Sequence, residues 1–288
     1  MESVGQTILQ TMSGLRQKLT SSDVPNCTHC GVPMHRITTV RIGNDEIPFG
    51  PFVCDCEAFQ NEREAARECQ RQEELARQHQ ARVERIERLF RNSTLPDRWR
   101  DRTFEAFRKT TGTQTAYDTA YRYTHEFNRR SGVGLLFTGD VGLGKTHLAA
   151  AIAMELMSRE LSVVYGTVSS LLSQIRSTYD NSKETEANAK YRLTTCDLLV
   201  IDEMGKEKVN AWVGQTVYDI INARYENNKA MVITTNLTLA EIRKRYNDID
   251  DVRVGIGDAI VDRIYEVCQG VQFTGTSWRK QSLGGDRT

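Results

Sequence analysis

The eight residues Gly139-Asp140-Val141-Gly142-Leu143-Gly144-Lys145-Thr146 constrain this chain more than any other segment. They fit the spacing G-x-x-x-x-G-K-T, follow the apolar run Leu135–Thr138, and open the stretch His147 to Met157, which reads as an amphipathic helix. The spacing has a mechanism. Glycines let the main chain wrap a phosphate with its N–H groups inward, and a helix starting near Lys145 adds its positive end. Lys145 would neutralise β- and γ-phosphate charge, the Thr146 hydroxyl would ligate Mg²⁺, and His147 completes the candidate contacts. An incidental glycine-rich turn is the competing reading, and the placement between strand and helix argues against it.

Five short apolar runs, often β-branched, recur at Gly134–Thr138, Ser162–Thr167, Asp197–Asp202, Ala230–Thr234 and Val271–Thr274. Stretches of helical spacing separate them, which predicts an α/β fold with a five-stranded parallel sheet covered on both faces. The run ending Ile201-Asp202-Glu203 would set carboxylates beside the phosphate loop. Asp202 could then hold Mg²⁺ through water and Glu203 could polarise an attacking water. Standing alone, it would read as a core strand with two capping acids. The strand Met231-Val232-Ile233 ends in Thr234-Thr235-Asn236, where the amide either orients that water or merely forms a turn.

The N-terminal third has a different character. All five prolines fall between Pro25 and Pro96, and four of the seven cysteines between Cys27 and Cys56. Cys27-x-x-Cys30 and Cys54-x-Cys56 stand 23 residues apart. A hairpin between them would bring two thiolate pairs into a tetrahedral site suited to Zn²⁺, with His29 or His35 as alternative ligands. An odd cysteine count without an export signal predicts reduced thiols and a cytoplasmic protein. The longest uncharged apolar run, Leu148 to Met154, is too short to span a membrane. The balance of 38 Lys+Arg against 38 Asp+Glu argues against a nonspecific polyanion binder but leaves room for a local basic groove.

The expected organisation has four parts. A short amphipathic helix occupies 1–21, with Val4, Ile8, Met12, Leu15 and Leu19 on one face. It is followed by a zinc-binding module at 22–57 and a charged linker helix at 58–92. Glu57 to Arg91 holds eight Glu and eight Arg, with Glu73–Arg77, Glu84–Arg88 and Glu87–Arg91 four apart. The nucleotide-binding domain takes 93–288.

The order of the phosphate loop, Ile201-Asp202-Glu203, Thr234-Thr235-Asn236, Asp262-Arg263-Ile264 and Ser277-Trp278-Arg279 resembles the AAA+ ATPases of the bacterial replicative-helicase loaders, of DnaC and DnaI type. The cysteine module resembles their phage and prophage branch, and the IstB transposition ATPases are similar. Leu95–Trp99 and Arg102–Phe107 resemble the family's entry segment, which lies near the adenine. The resemblance implies ATP and Mg²⁺ as ligands and ATP hydrolysis, while the short stretch after Arg279 departs from the AAA+ pattern, so no full lid domain is expected. It also implies Asn236 as first sensor, Arg279 as second sensor, and Arg263 as an arginine finger reaching a neighbouring subunit. A fixed guanidinium suits that last task because it stabilises charge on a transferring phosphoryl group. A single-strand DNA insertion is implied between Val168 and Lys190, with Arg176 on phosphate, Ser177 hydrogen-bonding and Tyr179 stacking. The implied partners are a hexameric replicative helicase, gripped by the N-terminal region, single-stranded DNA, and further copies of this chain in a ring or helical oligomer. The expected activity is ATP-dependent loading of that helicase, with hydrolysis as a release switch. Regulation of a DNA transposase is the alternative, and a small-molecule kinase is disfavoured by the paired Ile-Asp-Glu and Thr-Thr-Asn.

Overall fold

The computed structural model describes residues 24–42, 45–176, 185–249, 252–253 and 255–277. The helix expected over 1–21 lies outside them. The chain divides into two compact units, Met1–Ala81 and Arg82–Thr288.

The described part of the first unit opens on a tight turn. Cys27 N–H donates to Val32 O at 2.8 Å, and Gly31 N–H donates to Cys27 O at 2.8 Å. Two strands follow, β1 (His35–Ile42) and β2 (Asp45–Val53). They pair antiparallel from His35 opposite Val53 to Ile42 opposite Asp45. The hairpin thereby returns Cys54 and Cys56 to the Cys27–Cys30 turn. Helix α1 (Glu57–Asn92) starts directly afterwards and has no buried residue, as its charged composition predicts. Ion pairs run along it, including Arg71–Glu68 at 2.8 Å, Arg77 with Glu74, and Arg91–Glu87 at 3.8 Å. Arg77 thus takes the acid three residues back instead of Glu73, since both spacings face one another on a helix.

In the second unit Arg82 and Arg85 both reach Glu160, at 3.3 and 3.1 Å. Beyond Asn92 the elements are α2 (Gln114–His125), β3 (Gly134–Thr138), α3 (Lys145–Ser158), β4 (Val163–Thr167), α4 (Val168–Arg176), α5 (Glu186–Thr195), β5 (Leu198–Asp202), α6 (Ala211–Glu226), β6 (Ala230–Thr234) and α7 (Leu239–Asn247). A small antiparallel pair, β7 (Asp248–Ile249) and β8 (Val252–Arg253), precedes α8 (Ile256–Val267) and β9 (Cys268–Gln272). Five strands form a parallel sheet in the order β4-β5-β6-β3-β9. The chain leaves β3 and resumes at the far edge, β4. A crevice therefore opens at the carboxyl ends of β3 and its neighbours, where ligands bind in sheets of this kind.

Side chains alternate across each strand, so every strand feeds two cores. Leu135, Phe137, Leu198, Val200 and Val232 face one side, with Leu148, Ile152 and Leu156 of α3 and Ala116 and Ala120 of α2. Leu136, Leu199, Ile201, Met231 and Ile233 face the other, with Leu171, Leu172 and Ile175 of α4, Ile221 of α6, and Ile260 and Ile264 of α8. Helix α3 departs from its amphipathic reading. Leu148 to Ala153, Leu156 and Met157 are all buried, because its alanines let it lie close against its neighbours.

The last strand also departs from expectation. It runs Cys268–Gln272 and not Val271–Thr274, pairing Gly134 with Cys268 and Thr138 with Gln272. Its place at the sheet edge leaves Gln269 and Gly270 exposed, so no apolar run announces it. Phe273 follows the strand, donating its N–H to Thr138 O at 2.8 Å and packing edge-on against Phe137. Among the described residues no helix is long and apolar enough to cross a membrane.

Candidate functional site

The phosphate loop joins β3 to α3 at the crevice. Gly144 caps α3 at φ +95°, and a Cβ there would lie 2.6 Å from the Phe107 ring, so only glycine fits. Gly142, at φ +85°, is crossed by Ser277, whose Oγ would stand 2.1 Å from an added Cβ. Lys145 folds back over the loop. Its Nζ donates to Gly139 O at 2.6 Å, Asp140 O at 2.7 Å and Asn236 Oδ1 at 2.7 Å. Burial pulls the Lys145 ammonium down to about 8, against the opposing pull of Asp140, Asp202 and Glu203.

Asp202 ends β5 as a buried carboxylate satisfied by hydroxyls. Thr146 Oγ1 donates to its Oδ1 at 3.0 Å, and Thr234 Oγ1 donates to the same oxygen at 2.6 Å. Tyr165 OH donates to Oδ2 at 2.9 Å. The Thr146 hydroxyl and the Asp202 carboxylate are the hard oxygen ligands that Mg²⁺ takes, so the site fits that ion. Glu203 stands next, at φ +56°, with its N–H donating to Thr234 Oγ1 at 2.9 Å. Lys206 Nζ donates to the Glu203 carboxylate at 2.6 Å. A non-glycine residue in this backbone region is uncommon and concentrates at functional sites.

These groups converge on one cleft of about 350 Å³. Val141 to His147, Glu203 and Thr234 to Asn236 form its polar side, while Trp99, Arg102 and Phe107 of the entry segment form another wall. His147 Nε2 lies 2.8 Å from Thr103 O, an acceptor, so that nitrogen carries the proton. Its ring meets Phe107 edge-on at 5.2 Å, and burial lowers its pKa.

Other candidates sit away from the cleft. Arg263, on α8, lies over the Tyr225 ring at 4.3 Å, with Asn222, Asp262 and Glu266 within 3.2 to 3.5 Å. It is absent from the cleft lining. Arg176 ends α4 over the Trp212 ring at 4.3 Å. Ser177, Tyr179 and Arg279 lie outside the described residues.

In the first unit the Sγ atoms of Cys27, Cys30, Cys54 and Cys56 all lie within 4.8 Å of one another. Cys27 and Cys56 are 3.7 Å apart, Cys30 and Cys54 3.4 Å. A tetrahedral zinc with Zn–S bonds of about 2.3 Å separates its sulfurs by roughly 3.8 Å, so the quartet fits. Burial pushes the Cys27 thiol up, but the backbone N–H groups of Cys30 and His29, together with the Cys54 and Cys56 thiols, bring it down to about 6. Neither histidine joins the group. His29 pairs with Glu62 at 2.6 Å and His35 stands 3.9 Å from Asp55.

Sequence reasoning missed Tyr165 and the hydroxyl of Thr234 as partners of Asp202. Neither has a local signature, because each reaches Asp202 from a different strand.

Residues 61–284 match the family described as IstB-like ATP binding protein. The replicative helicase loader DnaC of Escherichia coli (strain K12) is 30% identical over 183 residues, covering 62% of this chain and 74% of DnaC. The phage-like element PBSX protein XkdC of Bacillus subtilis (strain 168) is 28% identical over 199 residues, covering 64% of this chain and 68% of that protein. A crystal structure of the DnaC helicase loader is similar with a TM-score of 0.53 at 25% identity, over 62% of this chain and 100% of that one. The chain belongs to the family of IstB-like ATP-binding proteins and is a homologue of the DnaC helicase loaders.

Proposed function

We propose that this chain is an ATP-dependent loader of a hexameric replicative helicase onto single-stranded DNA. The observation that carries the reading is one cleft in which Lys145 meets Asn236 while Thr146 and Thr234 both meet Asp202. Phosphoryl transfer needs these groups together: a cation on the phosphates, a hydroxyl and a carboxylate for Mg²⁺, and a base for water. Bound Mg²⁺ would neutralise charge on the β- and γ-phosphate oxygens. Lys145 would exchange its carbonyl and amide partners for phosphate oxygens. Glu203 would take the proton from the attacking water and Asn236 would orient that water. Arg279 would serve as the second sensor, and Ser277 brings the chain to the phosphate loop two residues earlier.

In this reading Arg263 works in trans, copies assemble as a ring or helix around ATP, and hydrolysis releases the assembly. Arg176, Ser177 and Tyr179 contact DNA. The N-terminal helix and the cysteine module, holding one zinc, grip the helicase. A pull-down with the host's replicative helicase tests the partner. Capture by the full chain and its loss on removing residues 1–57 is the expected result, and retained capture would move the contact elsewhere. The family match also supports a second reading, an ATPase regulating a DNA transposase. A preference for duplex over single-stranded DNA would favour it.

The trans role has its own test. Arg263→Ala is expected to lower hydrolysis by about 10³-fold with ATP affinity unchanged. Mixing it with Lys145→Ala chains should restore part of the activity, because each supplies what the other lacks. A mixture as inactive as its components would remove Arg263 from the site.

A further inference from the structure

The middle of β4 carries one residue that touches both the segment leaving α1 and the Asp202 carboxylate. Tyr165 is buried, and its register partner on β5 is Val200, two residues before Asp202. Such a diagonal separation, about 7–8 Å, is within reach of an aromatic side chain. The phenol spans it and donates to Asp202 Oδ2 at 2.9 Å. On the opposite side β4 is the sheet edge, and the segment leaving α1 closes it. Tyr165 N–H donates to Ser93 O at 2.7 Å, and Thr94 Oγ1 donates to Tyr165 O at 2.6 Å. Thr94 holds φ +59° there, a costly backbone for a β-branched residue. The ring is thus fixed at its root by both backbone groups and at its tip by a carboxylate.

We infer that Tyr165 is a positioning residue for the magnesium-binding carboxylate, and that Ser93 and Thr94 set its position. This rests on the ATP reading of the cleft. The torsion about a carboxylate's last bond is broad, so Asp202 needs a donor on each oxygen to keep one plane. Thr146 and Thr234 fix Oδ1, and Tyr165 fixes Oδ2. A buried ionised carboxylate also requires every one of these hydrogen bonds. Without the phenol, Oδ2 is orphaned and Oδ1 no longer faces the Thr146 hydroxyl squarely. The cost then falls on Mg²⁺ and not on the phosphates, which Lys145 and the loop hold. Because Ser93 directly follows α1, movement of that helix end would be felt at Asp202.

The test measures binding of a non-hydrolysable ATP analogue by calorimetry, in EDTA and in Mg²⁺, for the full wild-type chain and Tyr165→Phe. Both are expected to melt cooperatively and to agree within about twofold in EDTA. The gain in affinity that Mg²⁺ confers should shrink about tenfold in the variant. Thr94→Val, which leaves the phenol in place but loosens its root, should shrink that gain two- to threefold. It keeps the question open to measurement if Tyr165→Phe fails to fold. An equal Mg²⁺ gain in wild type and variants would overturn the inference while leaving the ATP reading intact. A wild-type chain that binds no nucleotide would overturn both.

Discussion

A Lys145→Ala chain is expected to lose ATP affinity by about 10²- to 10⁴-fold, measured by calorimetry with Mg²⁺ against wild type. The loss follows from two or more charged hydrogen bonds to phosphate, each about 1.5–3 kcal/mol, at 1.4 kcal/mol per tenfold. The fold should survive, because α3 is anchored by Leu148, Ile152 and Leu156 and not by its first residue. The same lysine gives the interaction a pH dependence. Its ammonium is met by neutral oxygens, and burial brings it down to about 8. Phosphate would hold the proton on. Affinity should therefore be level below pH 8 and fall above it by up to about tenfold per unit, with proton uptake on binding. Folding follows the same linkage. Between about 8 and the ordinary lysine value of 10.5 the unfolded chain binds the extra proton, so the protein assayed without nucleotide gains stability as pH rises through that window. Affinity that stays flat on the alkaline side would mean that Lys145 does not face the phosphates.

The parts legible in the sequence are those whose chemistry is contiguous. The phosphate loop needs eight consecutive residues, and the structure places Gly139 to Thr146 on one cleft wall or in contact with it. The strands ending at Thr138, Thr167, Asp202 and Thr234 are buried on both faces, so each reads as a short apolar run. Cysteine spacing gave the quartet because a hairpin of any exact shape returns the second pair to the first. What the sequence could not carry is pairing between distant segments. β9 sits at an edge and needs no apolar run, so its register follows from β3 alone. Nothing in the local sequence marks Ser93 and Thr94 as strand partners, yet they close the β4 edge. Arg224 looks like one more charge on a helix. It is wholly buried, giving hydrogen bonds to the carbonyls of Leu193, Cys196 and Ala230 that tie α5, α6 and β6 together. Spacing cannot separate such an arginine from a surface one.

Removing zinc is expected to unfold the cysteine module outright. Among the first-unit residues whose burial is described, the thiol quartet itself supplies two of the three buried apolar side chains, Cys27 and Cys54, beside Val53. A segment this short builds little core of its own, so its folding leans on metal ligation. A structural zinc in a small thiolate site supplies on the order of 10–16 kcal/mol of folding free energy. Protein purified without chelator should therefore contain about one zinc per chain. Stripping it, or replacing Cys30 or Cys54 with serine, should abolish hydrogen-exchange protection of the hairpin from His35 to Val53. The second unit has its own double core, so ATP binding should persist with an affinity within about twofold. Helicase capture should disappear with the hairpin's protection. A hairpin equally protected after the metal is gone would mean that the thiols pack as ordinary core residues, and the module's stability would need another source.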